Sequence, residues 1–134
     1  MNTYISTKTV QARPVTLQEA EEILNRPITG QSEESGYLIQ YKDGYTSYCP
    51  KTVFERDYKP ADTPLDRLKI EYKELEEREQ KLNTFVNGKT GIRGYGEEFM
   101  KLDNEAQCLL TGQLDAMARY KDILLRRIGK IVVK

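Results

Sequence analysis

Apolar side chains recur at intervals of three or four residues in two long stretches of the second half of the chain, which is typical of amphipathic helices. The first stretch places them at positions 65, 68, 72, 75, 82 and 86, with an interruption at Glu79. The second carries them at Ala106, Leu110, Leu114, Met117, Tyr120, Leu124 and Ile128. We expect the two helices to pack against each other as an antiparallel hairpin.

Capping residues indicate where these helices begin and end. Thr63 followed by Pro64 starts the first helix, and Asp103 starts the second. Gly129 is predicted to break the second helix, which leaves 131–133 as a short terminal strand. The second helix also carries Leu109, Ile123 and Leu125 outside its main stripe. This broader apolar face needs a further partner, either the sheet of the first half or a second subunit.

The first half has the alternating pattern of strands. A strand is predicted over 4–13 and ended by Pro14, followed by a helix over about 17–25 that Thr16 and Glu19 cap. Residues 36–49 are predicted to form a β-hairpin that turns at Asp43-Gly44.

Pro50 then starts a short helix that extends to about Tyr58 and directs Val53 and Phe54 inward. The predicted fold class is therefore α+β, with a small N-terminal antiparallel sheet and short helices over 1–60. A long helical hairpin over 61–134 follows, and we expect the two parts to form one integrated fold.

Composition excludes several classes of function. The 134 residues include 21 basic and 21 acidic residues and no histidine. The balanced charge disfavours a dedicated nucleic-acid binder, and the missing histidine excludes zinc sites and histidine-dependent catalytic groups of the usual kinds. No signal peptide or membrane span is visible, and Cys49 and Cys108 match no metal spacing, so a protein of the reducing cytoplasm without a metal or cofactor is expected.

The segment between the two helices, residues 87–96, holds four glycines, Lys89, Arg93 and Tyr95. We call it the glycine loop. Its Gly88-Lys89-Thr90 resembles the end of a phosphate-binding P-loop, but position 83 is Asn and a helix precedes the loop where a strand is required. Two interpretations stay open: a flexible connection, or glycine amides and cations that hold an anion while Phe85 and Tyr95 stack on a base.

The last helix is strongly basic, with Arg119, Arg126 and Arg127 on a rigid element where guanidinium groups can bind phosphates in a bidentate manner. This side could equally be a solvated face or pair with the acidic segment 19–34 of the first half. Carboxylate pairs such as Glu76-Glu77 lie among lysines and arginines, without the apolar setting that general-acid catalysis requires. We therefore expect a protein that is not an enzyme.

Both halves resemble known families. Residues 65–78 and 107–125 are similar to the two helices of a hairpin family of tailed phages, whose connection is usually shorter, and 36–41 with 45–55 resemble a module of short phage proteins. Their combination resembles the first class of Thoeris anti-defence sponges. This resemblance implies a cytoplasmic phage protein that binds cyclic ADP-ribose signals, and in some members cyclic oligonucleotides, without degrading them. It also implies homo-oligomers, from dimers to hexamers, that assemble through the long helices.

The resemblance and the loop chemistry together define a candidate ligand shell. The resemblance implies Phe85, Asn87, Arg93, Arg119 and Arg56, and the residue patterns add Gly88, Lys89, Tyr95 and Arg126. Two other functions remain open. One is a helical-hairpin module that binds a host protein, and the other is single-stranded nucleic-acid binding through the tyrosine-rich sheet and the basic last helix.

Overall fold

A computed structural model describes residues 1–6, 8–30 and 33–133, and it divides the chain into two compact units, Met1–Lys59 and Pro60–Lys134. The first unit is a three-stranded antiparallel sheet with two short helices, and the second consists mainly of two long helices. The predicted α+β fold class is confirmed.

The sheet of the first unit has the strand order β1-β2-β3. Its strands are β1 (Gln11–Thr16), β2 (Ser35–Gln40) and β3 (Thr46–Pro50), and its helices are α1 (Leu17–Leu24) and α2 (Lys51–Asp57). The prediction of a strand over 4–13 that ends at Pro14 is wrong. Strand β1 starts later and continues through Pro14, which lies opposite Tyr37 of β2. Because β1 is an edge strand, a residue without an N–H group is tolerated there.

The hairpin between β2 and β3 is confirmed, and its turn is a three-residue loop. Tyr41 N–H donates to the carbonyl of Tyr45 and Gly44 N–H donates to the carbonyl of Tyr41, each over 2.9 Å. Gly44 has the positive φ of 90°, whereas Asp43 does not have a positive φ. A type I turn followed by one left-handed glycine gives this geometry, and it suits the twist of the two strands.

Helix α2 packs on the sheet through Phe54. Its ring stacks on Tyr37 at 4.1 Å and on Tyr58 at 4.8 Å between ring centroids. Val53, which was predicted to point inward, is exposed. Neighbouring residues of a helix differ by about 100° in direction, so a helix of two turns that packs Phe54 on the sheet turns Val53 towards solvent.

The second unit contains α3 (Pro64–Asn87), α4 (Glu97–Met100) and α5 (Asn104–Val132). Leu68 and Leu75, in the first half of α3, pack with Leu124 near the end of α5. Val86, at the end of α3, packs with Leu114 and with Phe99 of α4. The two long helices therefore run antiparallel, as the apolar spacing predicts.

An ion pair occupies the interruption in the α3 stripe. Lys121 Nζ lies 2.5 Å from Glu79 Oε1, and the two side chains are only 27% and 16% exposed. The prediction that Tyr120 belongs to the buried stripe of α5 is wrong, because Tyr120 is 43% exposed and Lys121 takes the inward position. The carboxylate of Glu79 holds Lys121 there, and the resulting hydrogen bond raises the pKa of Lys121.

Helix α5 does not break at Gly129. It continues to Val132, so the predicted terminal strand over 131–133 is wrong. A glycine inside a helix costs about 1 kcal/mol relative to alanine, which the long helix absorbs. Among the described residues, no helix has the length and apolar character needed to cross a bilayer.

Candidate functional site

The glycine loop is tied at its base to the end of α3. Gly96 N–H donates to the carbonyl of Val86 over 2.8 Å, and a Cβ at position 96 would lie 1.8 Å from the carbonyl oxygen of Phe85. At the other side of the base, Gly88 adopts a φ of 68° and donates to the carbonyl of Thr84. Both glycines are needed because the two ends of the loop approach each other closely.

All four glycine amides of the loop donate inside the protein. Gly88 and Gly96 donate to α3 carbonyls, Gly91 N–H donates to the carbonyl of Gly88 over 3.3 Å, and Gly94 N–H donates to Asn87 Oδ1 over 3.1 Å. The predicted anion nest made of glycine amides is therefore not formed. Anion binding at this loop has to come from its side chains.

Asn87 organises the loop from within. Its side chain is 8% exposed and bridges α3 and the loop, because Oδ1 accepts from Gly94 N–H and Nδ2 donates to Asn83 Oδ1 over 2.5 Å. A buried carboxamide with both of its ends hydrogen-bonded fixes its surroundings strongly. Asn87 therefore positions the part of the loop that carries Arg93.

Arg93 is directed across the hairpin to α5. Its Nη1 and Nη2 atoms donate to the two carboxylate oxygens of Asp115 over 3.1 and 2.9 Å. These bonds lower the pKa of Asp115 and raise the pKa of Arg93. Arg93 and Asp115 remain 58% and 49% exposed, so solvent and solutes reach the pair.

An open groove with a volume of about 410 Å³ lies beside this pair, and we call it the Arg93 groove. Its polar lining residues are Glu79, Gln80, Asn83 and Asn87 of α3, Arg93 of the loop and Asp115 of α5, and its apolar ones are Leu114 and Ala118 of α5. The volume falls in the range of sites for small organic ligands. Carboxamides, carboxylates and one guanidinium offer donors and acceptors suited to phosphates, sugar hydroxyls and base edges.

Further cations lie near the groove or along α5. Arg119 follows Asp115 by one helical turn, and its charge contributes to lowering the pKa of Asp115. Arg126 lies about two turns further along the helix and pairs with Asp122 over 3.0 Å. Lys89 is exposed in the glycine loop. Of these predicted residues, Arg119 lies closest in sequence to the groove residues of α5.

The two aromatic candidates do not line the Arg93 groove. Phe85 is 39% exposed and meets the buried ring of Phe99 edge-on at 6.4 Å, while Tyr95 is exposed in the loop. Helical periodicity places Phe85 on the flank of α3 opposite Asn83 and Asn87. Within one chain, the structure therefore does not bring the predicted aromatic and cationic groups into one cavity.

Arg56 belongs to the first unit, where it lies in α2. Its guanidinium donates to both carboxylate oxygens of the neighbouring Asp57, over 2.8 and 3.1 Å. This pair is exposed, and it raises the pKa of Arg56.

Of the eight residues that line the groove, only Asn87 and Arg93 were predicted as site residues, and two of the others, Asn83 and Asp115, bond directly to them. The side chains of Asn83 and Asn87 form a hydrogen-bonded pair, and residues four positions apart are neighbours on the surface of a helix. Asp115 lies 22 residues from its partner Arg93, and no periodic rule connects the two positions. The Asn83–Asn87 pair could have been predicted from helical spacing in the sequence. The Arg93–Asp115 pair could be identified only from the path of the loop in the structure.

A protein-family comparison places this second unit in a known class. The chain matches the family model named Sequestin over residues 62–130, which is 69 of its 134 residues and therefore more than half. The chain belongs to the Sequestin family. Sequestin is the family of Thoeris anti-defence sponges, a class that holds a signalling molecule and is in general non-catalytic. No curated protein and no solved structure matches the chain.

Proposed function

We propose that this protein is a phage anti-defence sponge that sequesters a cyclic ADP-ribose-type signal in the bacterial cytoplasm and leaves it chemically unchanged. The observation that carries the proposal is the Arg93 groove, which lies in the unit that the Sequestin model matches. The proposal includes cyclic oligonucleotides, which present the same phosphate and ribose chemistry, as a second ligand class.

The side chains that line the groove, together with Arg119 next to the lining residue Ala118, suit such a ligand. A cyclic ADP-ribose isomer carries two linked phosphates, and Arg93 and Arg119 provide guanidinium groups that can bind phosphate oxygens in pairs. Lys89 adds a further mobile cation on the loop. The carboxamides of Gln80 and Asn83 can bond to ribose hydroxyls or to the edge of the adenine.

We further propose that the site is completed by a second copy of the chain. Leu109, Tyr120 and Ile123 are exposed on α5 and recur at helical spacing, and this defines the α5 apolar face. Large apolar side chains exposed on one helix face favour an interface. A second copy packed there would supply the aromatic contact for the base, from Phe85 or Tyr95, that the groove of one chain lacks.

The α5 apolar face also supports a second candidate function, docking on a host protein. In that case the groove residues would serve the hairpin alone, and the cyclic nucleotide would not bind. The two functions predict different behaviour of the purified protein towards small molecules.

The test is a capture and release experiment. The protein is incubated with a cyclic ADP-ribose isomer, separated from free ligand and denatured by heat, and the supernatant is analysed by mass spectrometry. Release of intact ligand is expected. A linear product would replace the proposal with an enzyme, and no captured ligand would favour the host-protein candidate.

Substitutions locate the site in the same experiment. Arg93→Ala and Arg119→Ala are each expected to weaken capture by at least about tenfold, because a charge-assisted bidentate contact is lost. Arg78→Ala removes the same charge from an exposed position of α3 outside the groove and should leave capture unchanged. Far-UV circular dichroism shows whether the helices persist. Undiminished capture by Arg93→Ala would place the ligand elsewhere.

A further inference from the structure

The carboxylate of Asp115 occupies Arg93 in the way a phosphate would. Both terminal nitrogens of the guanidinium donate to the two oxygens of one carboxylate, which is also the preferred geometry of guanidinium with phosphate. We propose that Asp115 is an internal competitor, a specificity-determining residue that an anionic ligand must displace from Arg93. This inference rests on the proposed function of the Arg93 groove.

The charges of the groove indicate that Asp115 competes with an anionic ligand for Arg93. They do not favour the alternative, in which Asp115 only positions Arg93 for the ligand. If the pair stayed intact, a phosphate bound to the remaining Nε edge of Arg93 would lie close to the carboxylate of Asp115. Like charges at such distances repel each other. Moving Asp115 away removes that repulsion and exposes the whole guanidinium to the ligand.

The released carboxylate has an alternative partner. Arg119 lies at position i+4 from Asp115 on α5, the spacing at which side chains of a helix meet, and its charge already acts on Asp115. A guanidinium carries five N–H donors, so Arg119 can bond to Asp115 and to a phosphate at the same time. Displacement therefore transfers Asp115 from one cation to another.

The exchange requires little else to move. Both side chains of the pair are about half exposed, a setting in which ion pairs are weak. The base of the glycine loop is held by the backbone contacts of Gly88 and Gly96, so Arg93 can reorient while the hairpin stays in place. An anion with one phosphate group can replace only one contact and gains little from displacing Asp115, whereas a ligand with two linked phosphates can bind Arg93 and Arg119 together and gains more. Asp115 thus selects for such ligands.

The test uses Asp115→Asn, which keeps the shape of the side chain and removes its charge. Affinities of the full-length protein for a cyclic ADP-ribose isomer, inorganic pyrophosphate and inorganic phosphate are measured by titration calorimetry. We expect Asp115→Asn to bind the cyclic ligand about three- to tenfold more tightly, the range given by a weak pair together with the lost repulsion. The relative gain should be largest for inorganic phosphate, because selectivity is relaxed.

Two further variants make the result specific. Glu98→Gln removes a carboxylate of α4 that pairs with Lys101 outside the groove, and it should change affinity by less than about twofold. The double variant Arg93→Ala/Asp115→Asn should bind the ligand no more tightly than Arg93→Ala alone, because the guanidinium for which Asp115 and the ligand compete is missing. A gain in that background would overturn the proposal.

The remaining outcomes separate this inference from the proposed function. Weaker binding by Asp115→Asn would make Asp115 a positioning residue, and unchanged binding would show that Asp115 does not compete with the ligand. In both cases the competition proposal fails and the proposed sponge function stands. If the wild-type protein does not bind the cyclic ligand, the proposed function fails. The proposed competition by Asp115 is then tested with inorganic pyrophosphate as the ligand. If no variant binds pyrophosphate, that proposal is overturned as well.

Discussion

Replacing Gly96 by alanine should open the base of the glycine loop. The backbone of Gly96 has a φ of −61° and a ψ of 132°, which alanine adopts without strain. The added methyl group would nevertheless lie 1.8 Å from the carbonyl oxygen of Phe85 and 2.9 Å from that of Val86. The perturbation is therefore a pure clash between the loop and the backbone of α3, with no change in charge or hydrogen-bonding groups.

The magnitude follows from what has to move. Bringing the methyl group to a tolerable separation shifts the two segments apart by more than about 1 Å, which breaks the 2.8 Å bond from Gly96 N–H to Val86 and costs about 0.5–1.5 kcal/mol. The same shift loosens Phe99, a 3% exposed ring whose complete removal would cost about 3–5 kcal/mol. A partial loss of that packing gives a total of roughly 2–3 kcal/mol.

Urea denaturation followed by far-UV circular dichroism measures this difference. The control is Gly129→Ala, a helical position of α5 where an added Cβ has no neighbour within 4 Å. That variant should be more stable by about 0.5–1 kcal/mol, because alanine favours a helix interior. All proteins are compared at one concentration, since any self-association adds to the apparent stability.

A Gly96→Ala protein as stable as the wild type would refute this account of the loop. It would mean that the approach of the two segments is not maintained in solution. Loss of stability without loss of ligand capture would instead show that the closed base supports the hairpin only, and that Arg93 reaches its ligand without it.

Two other predictions concern the hairpin. Lys121→Met should cost about 1–3 kcal/mol, because it leaves the mostly buried carboxylate of Glu79 without its partner. Adding Glu79→Leu to this variant should recover that loss by continuing the apolar stripe, and a double variant as unstable as the single one would contradict this. Since the pKa of Lys121 is raised in the folded state, the stability that Lys121 contributes is complete below the ordinary lysine pKa and is lost as the pH rises through the raised value, which urea titrations at several alkaline pH values measure. Ile123→Glu on the α5 apolar face should lower the mass measured by light scattering if copies pack there, whereas Lys81→Glu on α3 should leave it unchanged.

The helices were predictable because each has an apolar period long enough to exclude a strand. Whether a single residue within a helix points inward or outward was less predictable. Tyr120 and Lys121 both fit a spacing of three to four, and only the carboxylate of Glu79 on the other helix selects Lys121 for the inward position. Similarly, Pro14 ends a strand or sits within one according to whether a further strand pairs with it, which local sequence does not state.

In the candidate site too, residues were predicted from the sequence but their contacts were not. The composition of the loop pointed to Arg93 and the family resemblance to both Asn87 and Arg93. Their roles were not predicted, because these depend on the partners Gly94 and Asp115. The glycines were expected to offer free amides to an anion. Their N–H groups are used to close the loop, and this follows from its path rather than from its composition.

The tied base of the glycine loop separates the shape of the hairpin from the identity of the residues at the loop tip. Residues 89–93 lie between two anchor points, so their sequence can be exchanged while α3 and α5 keep their register, as recognition loops are exchanged on an antibody framework. The hairpin can therefore serve as a scaffold on which tips of different charge and length are displayed, with Gly88 and Gly96 as the fixed boundaries of the graft.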